Sequence, residues 1–340
     1  MKANFQLIDC DYVVVDNAPI VRIFGKTEAG KSICAFYEGY KPYFYIFPKD
    51  KGSITKHLTK EFKQLVTNIS ETERLLPIGF TTNKIKLLKI TATDPSQVPL
   101  IRDSLLTHGL VNDVYEADIL FKNRFMADMG LNGMDWYEVT GDSIGTNTVK
   151  TEVLNKAKEF KKIHAKANME FRYMCIDIEI GMAVESIPNA AKDPISMISL
   201  SFYPEFRDKK SLVLVSRHVE KTGDVLSFKD EKSMLEGFLR VLDSFDPDFI
   251  TGYNINGFDM PYILTRLGEN KLSRALGRDK NKQSISRKFG IKARTSVVGR
   301  VVVDVYDLVK ESIGKGILRL KRYGLGDVSK ELIGMDKVDI

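Results

Sequence analysis

The sequence predicts a mixed α/β protein, with a β-rich first domain followed by a second domain built on a mixed sheet. Three features carry that expectation. Residues 7–47 are dominated by β-branched and aromatic runs separated by turn-forming residues. From residue 171 onward, strand-like runs alternate with helix-spaced ones, as a sheet with crossover helices requires. Between them, residues 128–150 are rich in Gly, Asn, Asp and Thr, the composition of a boundary.

Residues 7–24 have strand character, and Asp16-Asn17-Ala18-Pro19 supplies a turn between 12–15 and 20–24. Gly25-Lys26-Thr27-Glu28-Ala29-Gly30-Lys31-Ser32 matches the phosphate-loop pattern G-x-x-x-x-G-K-[ST] letter for letter, but that loop needs a helix to begin at its end. The aromatic and β-branched runs at 33–37 and 40–47 point instead to glycines turning a hairpin. Residues 53–70 have helical spacing, 85–93 read as a strand, and 94–99 form a cap-like turn into a helix over 99–107. Residues 111–121 return to strand character, and the Lys-rich stretch 150–168 has the spacing of an amphipathic helix.

The boundary therefore falls within 128–170. It divides the chain into a first domain over 1–135, a linker with the Lys-rich helix over 136–170, and a second domain over 171–340. The second domain reads as strands 173–180, 195–203 and 211–216, helix 230–244, strand 248–253, helix 259–269, a basic loop, strand 297–306, helix 307–313, and a turn into a helix within 316–334. Such a sheet carries its active edge at strand ends.

At 340 residues the chain holds two domains, with room to subdivide the first. A net charge of +6 is mild support for a polyanionic partner. Cys10, Cys34 and Cys175 are far apart with no Cys-x-x-Cys, and there are four histidines, so neither a disulfide framework nor a zinc site is expected. The expected compartment is the reducing cytoplasm. No signal-peptide core opens the chain and no run approaches the ~18 apolar residues of a membrane span, so no membrane partner is expected.

The stretch with the most chemical content is Tyr173-Met174-Cys175-Ile176-Asp177-Ile178-Glu179-Ile180, which reads as a buried strand with both carboxylates on one face. Burying two acids is costly unless a cation pairs them. Residues two apart on a strand lie roughly 6.6 Å from each other. Their carboxylates can then converge on divalent ions held about 3.5–4 Å apart, a geometry suited to metal-assisted phosphodiester hydrolysis. An Asp-x-Glu also occurs at strand ends and on solvated faces, so other motifs must decide.

One follows at Thr251-Gly252-Tyr253-Asn254-Ile255-Asn256-Gly257-Phe258-Asp259-Met260-Pro261-Tyr262, where a strand ends in a polar turn and Asp259 opens a helix. A carboxylate there favours the helix dipole and can still reach a metal, or simply caps the helix. Tyr323-x-x-x-Asp327 sets a phenol and an acid on one helix face, which is also an ordinary helix start. Ten Lys or Arg lie between 271 and 300 (Lys271, Arg274, Arg278, Lys280, Lys282, Arg287, Lys288, Lys292, Arg294 and Arg300) against Asp279 alone among acids. Such a cluster suits either a strand-tracking surface or a solvated loop.

Asp-x-Glu on a strand followed by Tyr-Asn-x-x-x-Phe-Asp-x-Pro-Tyr resembles the first two motifs of the 3′–5′ proofreading exonucleases. More closely, the chain resembles the N-terminal and exonuclease domains of archaeal family B DNA polymerases. The likeness runs nearly end to end, through Tyr40-Lys41-Pro42-Tyr43, Pro95-Ser96-Gln97-Val98-Pro99-Leu100-Ile101-Arg102, Gly299-Arg300-Val301-Val302-Val303-Asp304 and Asp336-Lys337-Val338. It implies a ribonuclease H-like fold for the second domain. It also implies that Asp177, Glu179 and Asp259 ligate two Mg²⁺ or Mn²⁺ ions, one activating water and one stabilising the leaving 3′ oxygen.

By the same resemblance Asn254 and Phe258 position the terminal nucleotide of single-stranded or primer-template DNA, and 5′-mononucleotides are released. Lys280, Lys282, Arg287 and Lys288 then contact the DNA backbone. Tyr323 matches the spacing of the family's third motif, yet its surroundings resemble the helix preceding that motif, so the fourth acid is expected beyond Ile340. Ile180 stands where the family usually has a small polar residue.

The family's N-terminal domain carries a pocket for template uracil, matched here by Tyr12, Pro42, Tyr43, Pro95, Val98, Arg102, Ile119, Phe121 and Arg124. Leu120 departs from a proline often found there, and each of the nine could equally be a core or turn residue. No Asp-Thr-Asp-type polymerase motif occurs, so the chain is expected to be a truncated piece, or one subunit of a split enzyme, unable to extend DNA alone. The implied partners are DNA, the palm, fingers and thumb of the polymerase, and a sliding clamp reached through them. A free-standing nuclease and a catalytically inert single-strand-binding module are the alternatives.

Overall fold

The computed structural model describes residues 1–75, 82–145, 148–165, 167–181, 187–220, 223–290 and 292–335. Asp336, Lys337 and Val338, the last run of the resemblance, lie outside the described residues. The chain divides into two compact units, Met1–Gly145 with Glu152–Asn168, and Thr146–Thr151 with Met169–Ile340.

The first unit opens with β1 (Lys2–Val15) and β2 (Ala18–Thr27), joined by Asp16 and Asn17 alone, at φ 49° and 61°. Asp and Asn tolerate left-handed backbone, and two such residues give a turn whose twist matches a hairpin. The phosphate-loop lettering folds as the next hairpin: the Thr27 N–H donates to the Lys31 carbonyl (2.9 Å), Gly30 sits at φ 74°, and β3 (Ser32–Tyr37) follows directly. Then come β4 (Tyr43–Pro48), α1 (Lys51–Glu61), β5 (Val66–Arg74), β6 (Ile85–Ala92), α2 (Gln97–Thr107), β7 (Val111–Tyr115), α3 (Phe121–Asp128), β8 (Trp136–Ser143) and β9 (Val153–Ile163).

Strands β1, β2, β3, β9 and β8 close into a barrel in which β3 and β9 run parallel. Phe5, Leu7, Val21, Ile23 and Ile33 form its core together with Phe121 and Phe125 of α3. Strands β5, β6, β4 and β7 make a separate antiparallel sheet. Ile54 and Leu58 of α1 and Ile101 and Leu105 of α2 cluster with Phe44, Ile46, Leu88 and Ile90 on one of its faces.

Four expectations are corrected here. The Lys-rich segment is a strand and not a helix, because Asn155 and Ala157 turn inward at a spacing of two and a bulge opposite Thr140/Gly141 shifts the inward set to Phe160. That bulge lengthens the apolar spacing until it imitates a helical one. Residues 136–143 and 153–163 are thus barrel strands and not linker. The helix expected over 53–70 ends at Glu61, with β5 taking over, and the strand expected over 111–121 ends at Tyr115, with Phe121 opening α3.

The second unit comprises β10 (Tyr173–Ile180), β11 (Ile195–Phe206), β12 (Lys209–Val215), β13 (Val225–Ser227), α4 (Glu231–Phe245), β14 (Phe249–Gly252), α5 (Asp259–Glu269), β15 (Ile285–Phe289), β16 (Lys292–Ser296), β17 (Val301–Asp304), α6 (Val305–Gly314) and α7 (Leu325–Ile333). Its six-stranded sheet has the order β13-β12-β11-β10-β14-β17, with β10, β14 and β17 parallel and β11 antiparallel to β10. Met174, Ile176 and Ile178 of β10 enter a core shared with Leu235, Phe238 and Leu242 of α4 and Ile263 and Leu267 of α5. Each such side chain contributes about 1.5–3 kcal/mol by burial. Glu231 locks these layers by accepting two hydrogen bonds from Arg266 (2.8 and 2.6 Å), one from Asn270 (2.9 Å) and one from the Ile195 N–H (2.8 Å).

Candidate functional site

Alternation along β10 places Met174, Ile176 and Ile178 in the core, so Cys175, Asp177 and Glu179 share the opposite face. That face is exposed. The two acids therefore lie together as the spacing predicts, but on an open surface and not in the buried setting expected of them. Beside them β14 ends at Gly252, paired with Asp304 at the end of β17, so acids gather where neighbouring parallel strands finish.

Asp259 is the first residue of α5 and is buried, with its carboxylate accepting the Ile178 N–H of β10 at 3.2 Å. Burial, and after it the negative charge of Asp177, pushes its pKa from 3.8 up to about 6. Asp259 and Asp177 are thereby electrostatic neighbours across two elements. The donor set is all oxygen, and mutual repulsion among its acids is what a hard divalent cation relieves. Among the described residues no three His, Cys, Asp or Glu side chains stand already gathered around one ion position.

The turn between β14 and α5 is held by Asp304, which accepts from the N–H groups of Asn254 (2.9 Å), Asn256 (2.9 Å) and Tyr306 (3.0 Å). Asn254 is left-handed at φ 60° and lies against Gly257, where a Cβ would come within 2.3 Å of its side-chain oxygen. A larger residue at 257 would have to displace the Asn254 amide. Phe258 follows, a residue 36% exposed whose ring is inclined against Tyr262. In the sequence Asp304 has no role beyond its place in a resembling run. The available signal is an acid closing the run Val301-Val302-Val303, at once strand end and cap of α6.

Asp327 falls in the first turn of α7, and the Tyr253 hydroxyl donates to the carbonyl of Tyr323. Asp327 is one of the charges that, after burial, raise the Tyr253 pKa. Lys280, Lys282, Arg287 and Lys288 are exposed, at and before the β15–β16 hairpin, where Arg287 stands directly opposite Arg294. Two of the ten basic residues do not belong to that surface. Arg278 and Arg300 are 1% and 3% exposed and bind Asp246 and Asp248, so the cluster is smaller than the sequence suggests.

In the first unit all nine residues matched to the base pocket line a single cavity of about 250 Å³, together with Glu116 and Leu120. Tyr12 meets Phe121 edge to face at 5.0 Å, and Arg124 pairs with Glu116 at 2.6 Å while lying 4.8 Å from the Tyr43 ring centroid. Glu116 has φ 64°, a strained conformation for a residue with a Cβ.

The raised Asp259 pKa has a testable sign. The folded state holds this proton more tightly than the unfolded chain, so its contribution to stability is complete below about pH 4 and is lost as pH rises through 6, by about 3 kcal/mol. Asp259→Asn keeps an acceptor for the Ile178 N–H and removes the charge. Denaturant titration without divalent ions should find it level with the native chain at pH 4 and about 1–3 kcal/mol more stable at pH 7.5. A variant weaker at pH 7.5 would contradict the assigned burial cost.

No helix among the described residues is long and apolar enough to cross a membrane. Among proteins with similar sequences is a "DNA polymerase 2" of Aeropyrum pernix, 28% identical over 321 residues, 91% of this chain and 37% of that protein. A "DNA polymerase" of Thermococcus kodakarensis is 29% identical over 334 residues, 97% of this chain and 17% of that one. The solved family B DNA polymerase of the hyperthermophilic archaeon Pyrobaculum calidifontis superposes with a TM-score of 0.79 at 26% identity, covering 98% of this chain and 40% of that structure. The chain thus spans well under half the length of these relatives. Residues 112–328, more than half of the chain, match the family description "DNA polymerase family B, exonuclease domain", and the chain belongs to that family.

Proposed function

We propose that the second unit is the 3′–5′ exonuclease of a family B DNA polymerase, removing terminal nucleotides from a DNA strand as 5′-mononucleotides. The observation that carries this reading is the hydrogen bond from the Ile178 N–H to Asp259, which sets this acid against β10 at the residue between Asp177 and Glu179. Asp177, Glu179 and Asp259 would hold divalent Mg²⁺ or Mn²⁺, which when bound supplies charge neutralisation and polarisation of the scissile phosphate. Asp304 fixes the backbone from Asn254 to Asn256, which presents the Asn254 amide and the open face of Phe258 to a strand terminus. An exposed phenylalanine accepts any base by stacking, as an editing site requires.

Digestion of single-stranded DNA labelled at either end tests this reading. Mg²⁺-dependent shortening from the 3′ end is expected of the full-length polymerase, with the 340-residue chain weakly active at most, and internal cleavage or no cleavage by the full-length protein would favour the alternatives. Under this reading the rest of the polymerase and a sliding clamp are the partners. The exposed hairpin supports backbone contact, because like charges opposed on a ladder, as in Arg287 and Arg294, are unfavourable until an anion lies over them. Neutralising Lys280, Lys282, Arg287 and Lys288 together should flatten the salt dependence of single-strand binding, by roughly 0.7 in slope for each phosphate that is no longer neutralised. An unchanged slope would leave a solvated surface.

The 250 Å³ cavity supports a second reading, recognition of template uracil. Uracil and thymine share a pairing edge and differ by one methyl, so rejecting thymine requires close walls. Val98 is 7% exposed and lies in that wall. Val98→Gln should erase any preference for a strand with one uracil over its thymine twin, read by fluorescence anisotropy at fixed salt. Equal affinity of the unmutated chain for both strands would sink this reading.

A further inference from the structure

The geometry points to a second subsite beside the base cavity, one that takes the charged phosphodiester flanking the captured base. This inference rests on the reading that the first cavity takes a base. A second cavity of about 450 Å³ opens beside Tyr43, which lines both. Its floor is a row across three strands, Asn68 of β5, Thr91 of β6 and Tyr43 of β4, joined by register. Phe44, Ile90 and Ala92 point to the helices from the same strands, so this row belongs to the face that α1 and α2 leave uncovered. The floor is polar and flat, the character of a surface that meets sugar and phosphate.

The charges are arranged for an anion that passes from one cavity to the other. Arg124, from the first, lies 4.8 Å from the Tyr43 ring centroid, and the Lys89 ammonium, from the second, lies 3.6 Å from the same centroid. Arg124 is already neutralised by Glu116. Lys89 has no acidic partner among the described residues, and its resting place on the ring holds it ready at low entropic cost. Lys41, which is exposed, adds a second ammonium at the rim beside the half-buried Lys89. The acid in this cavity, Asp128, has one oxygen accepting the hydroxyls of both Tyr40 and Tyr43 at 2.7 Å, which turns that acceptor toward the protein. Two ammonium groups against one engaged carboxylate leave the cavity electropositive.

The test uses the whole chain and short labelled single strands carrying one uracil or one thymine. Each strand is made with ordinary linkages, or with a neutral methylphosphonate on the 5′ or the 3′ side of that base. On one of the two sides, neutralisation should weaken binding about fivefold or more. Lys89→Gln should weaken the ordinary strand by a similar factor and be indifferent to the neutral linkage, whereas Lys89→Arg should restore the sensitivity. Lys89→Gln without effect, or with an effect that simply adds to that of the neutral linkage on both sides, would overturn the subsite. If Lys89→Gln unfolds the chain, the response of Lys89→Arg and of Lys41→Gln to the same linkages decides the matter. Failure of the base reading is separately visible: the unmutated chain would then bind uracil and thymine strands equally, while coupling of Lys89 to the linkage is still measured on the thymine strands.

Discussion

In the full-length polymerase, replacing Asp177 and Glu179 together with alanine is expected to reduce exonucleolytic digestion by at least about a thousandfold and to leave the fold intact. The size follows from the several kcal/mol of charge stabilisation that bound divalent ions supply at a phosphoryl centre, each 1.36 kcal/mol being about tenfold in rate. The fold should survive because both side chains lie on the exposed face of β10, while Met174, Ile176 and Ile178 hold the strand in the core. Removing Asp177 also removes the neighbouring charge that, after burial, raises the Asp259 pKa, so thermal stability without metal should hold or rise. Two measurements check this: the initial digestion rate in Mg²⁺, and Mn²⁺ binding to the chain by calorimetry, which reads the ligands even where turnover is slow. A digestion rate close to that of the unmutated protein would refute the assignment. Vigorous digestion by the unmutated 340-residue chain itself, abolished by Asp327→Ala, would move the third motif to Tyr323 and Asp327.

What the sequence made legible is what depends on near neighbours. The helix expected over 259–269 is α5, because its apolar positions recur at helical spacing and Asp259 marks its start. Asp16 and Asn17 announce their hairpin through their tolerance of positive φ, and β10 shows itself through alternation. What stayed hidden depends on distant partners. A bulge disguised β9, whose inward residues make sense only once β8 is beside it. The 250 Å³ cavity draws its walls from separate segments around residues 12, 42, 95–102 and 116–124, so no local pattern could reveal that these residues share one cavity. Asp304 serves backbone groups about 50 residues away, which strand-end position alone does not disclose. The basic stretch is misleading in part for the same reason: the acids that claim Arg278 and Arg300 lie in the Asp246-Pro247-Asp248 corner that precedes β14.

That corner yields the second large effect: Arg278→Met is expected to destabilise the second unit by about 3–5 kcal/mol, far more than neutralising any of the exposed hairpin lysines. The Arg278 guanidinium reaches Asp246 through two bonds of 3.1 Å, Asp248 at 2.7 Å and the Gly299 carbonyl at 3.0 Å. Arg300 adds a bond of 2.7 Å to Asp246. Burial pulls the Arg300 pKa down to about 10 against the pull of Asp246, whereas Asp246, despite its own burial, is held below the usual carboxylate range by the two arginines. Removing Arg278 leaves Asp248 and half of Asp246 buried without their fork, and the cost is that of stranded charge. Lys cannot make the same planar set of bonds, so Arg278→Lys should recover only part of the stability. Because the paired Asp246 has a lowered folded pKa, the stability it lends is present above its ordinary value of 3.8 and lost as pH falls through the folded one. The gap between Arg278→Met and the parent should therefore be widest near pH 7 and shrink toward pH 4, where the stranded acids take up protons. Urea titrations at both pH values check this, alongside single-strand binding whose salt slope Arg278→Lys leaves unchanged. A loss of stability under about 1 kcal/mol at pH 7, or a reduced salt slope, would return Arg278 to the strand-facing surface.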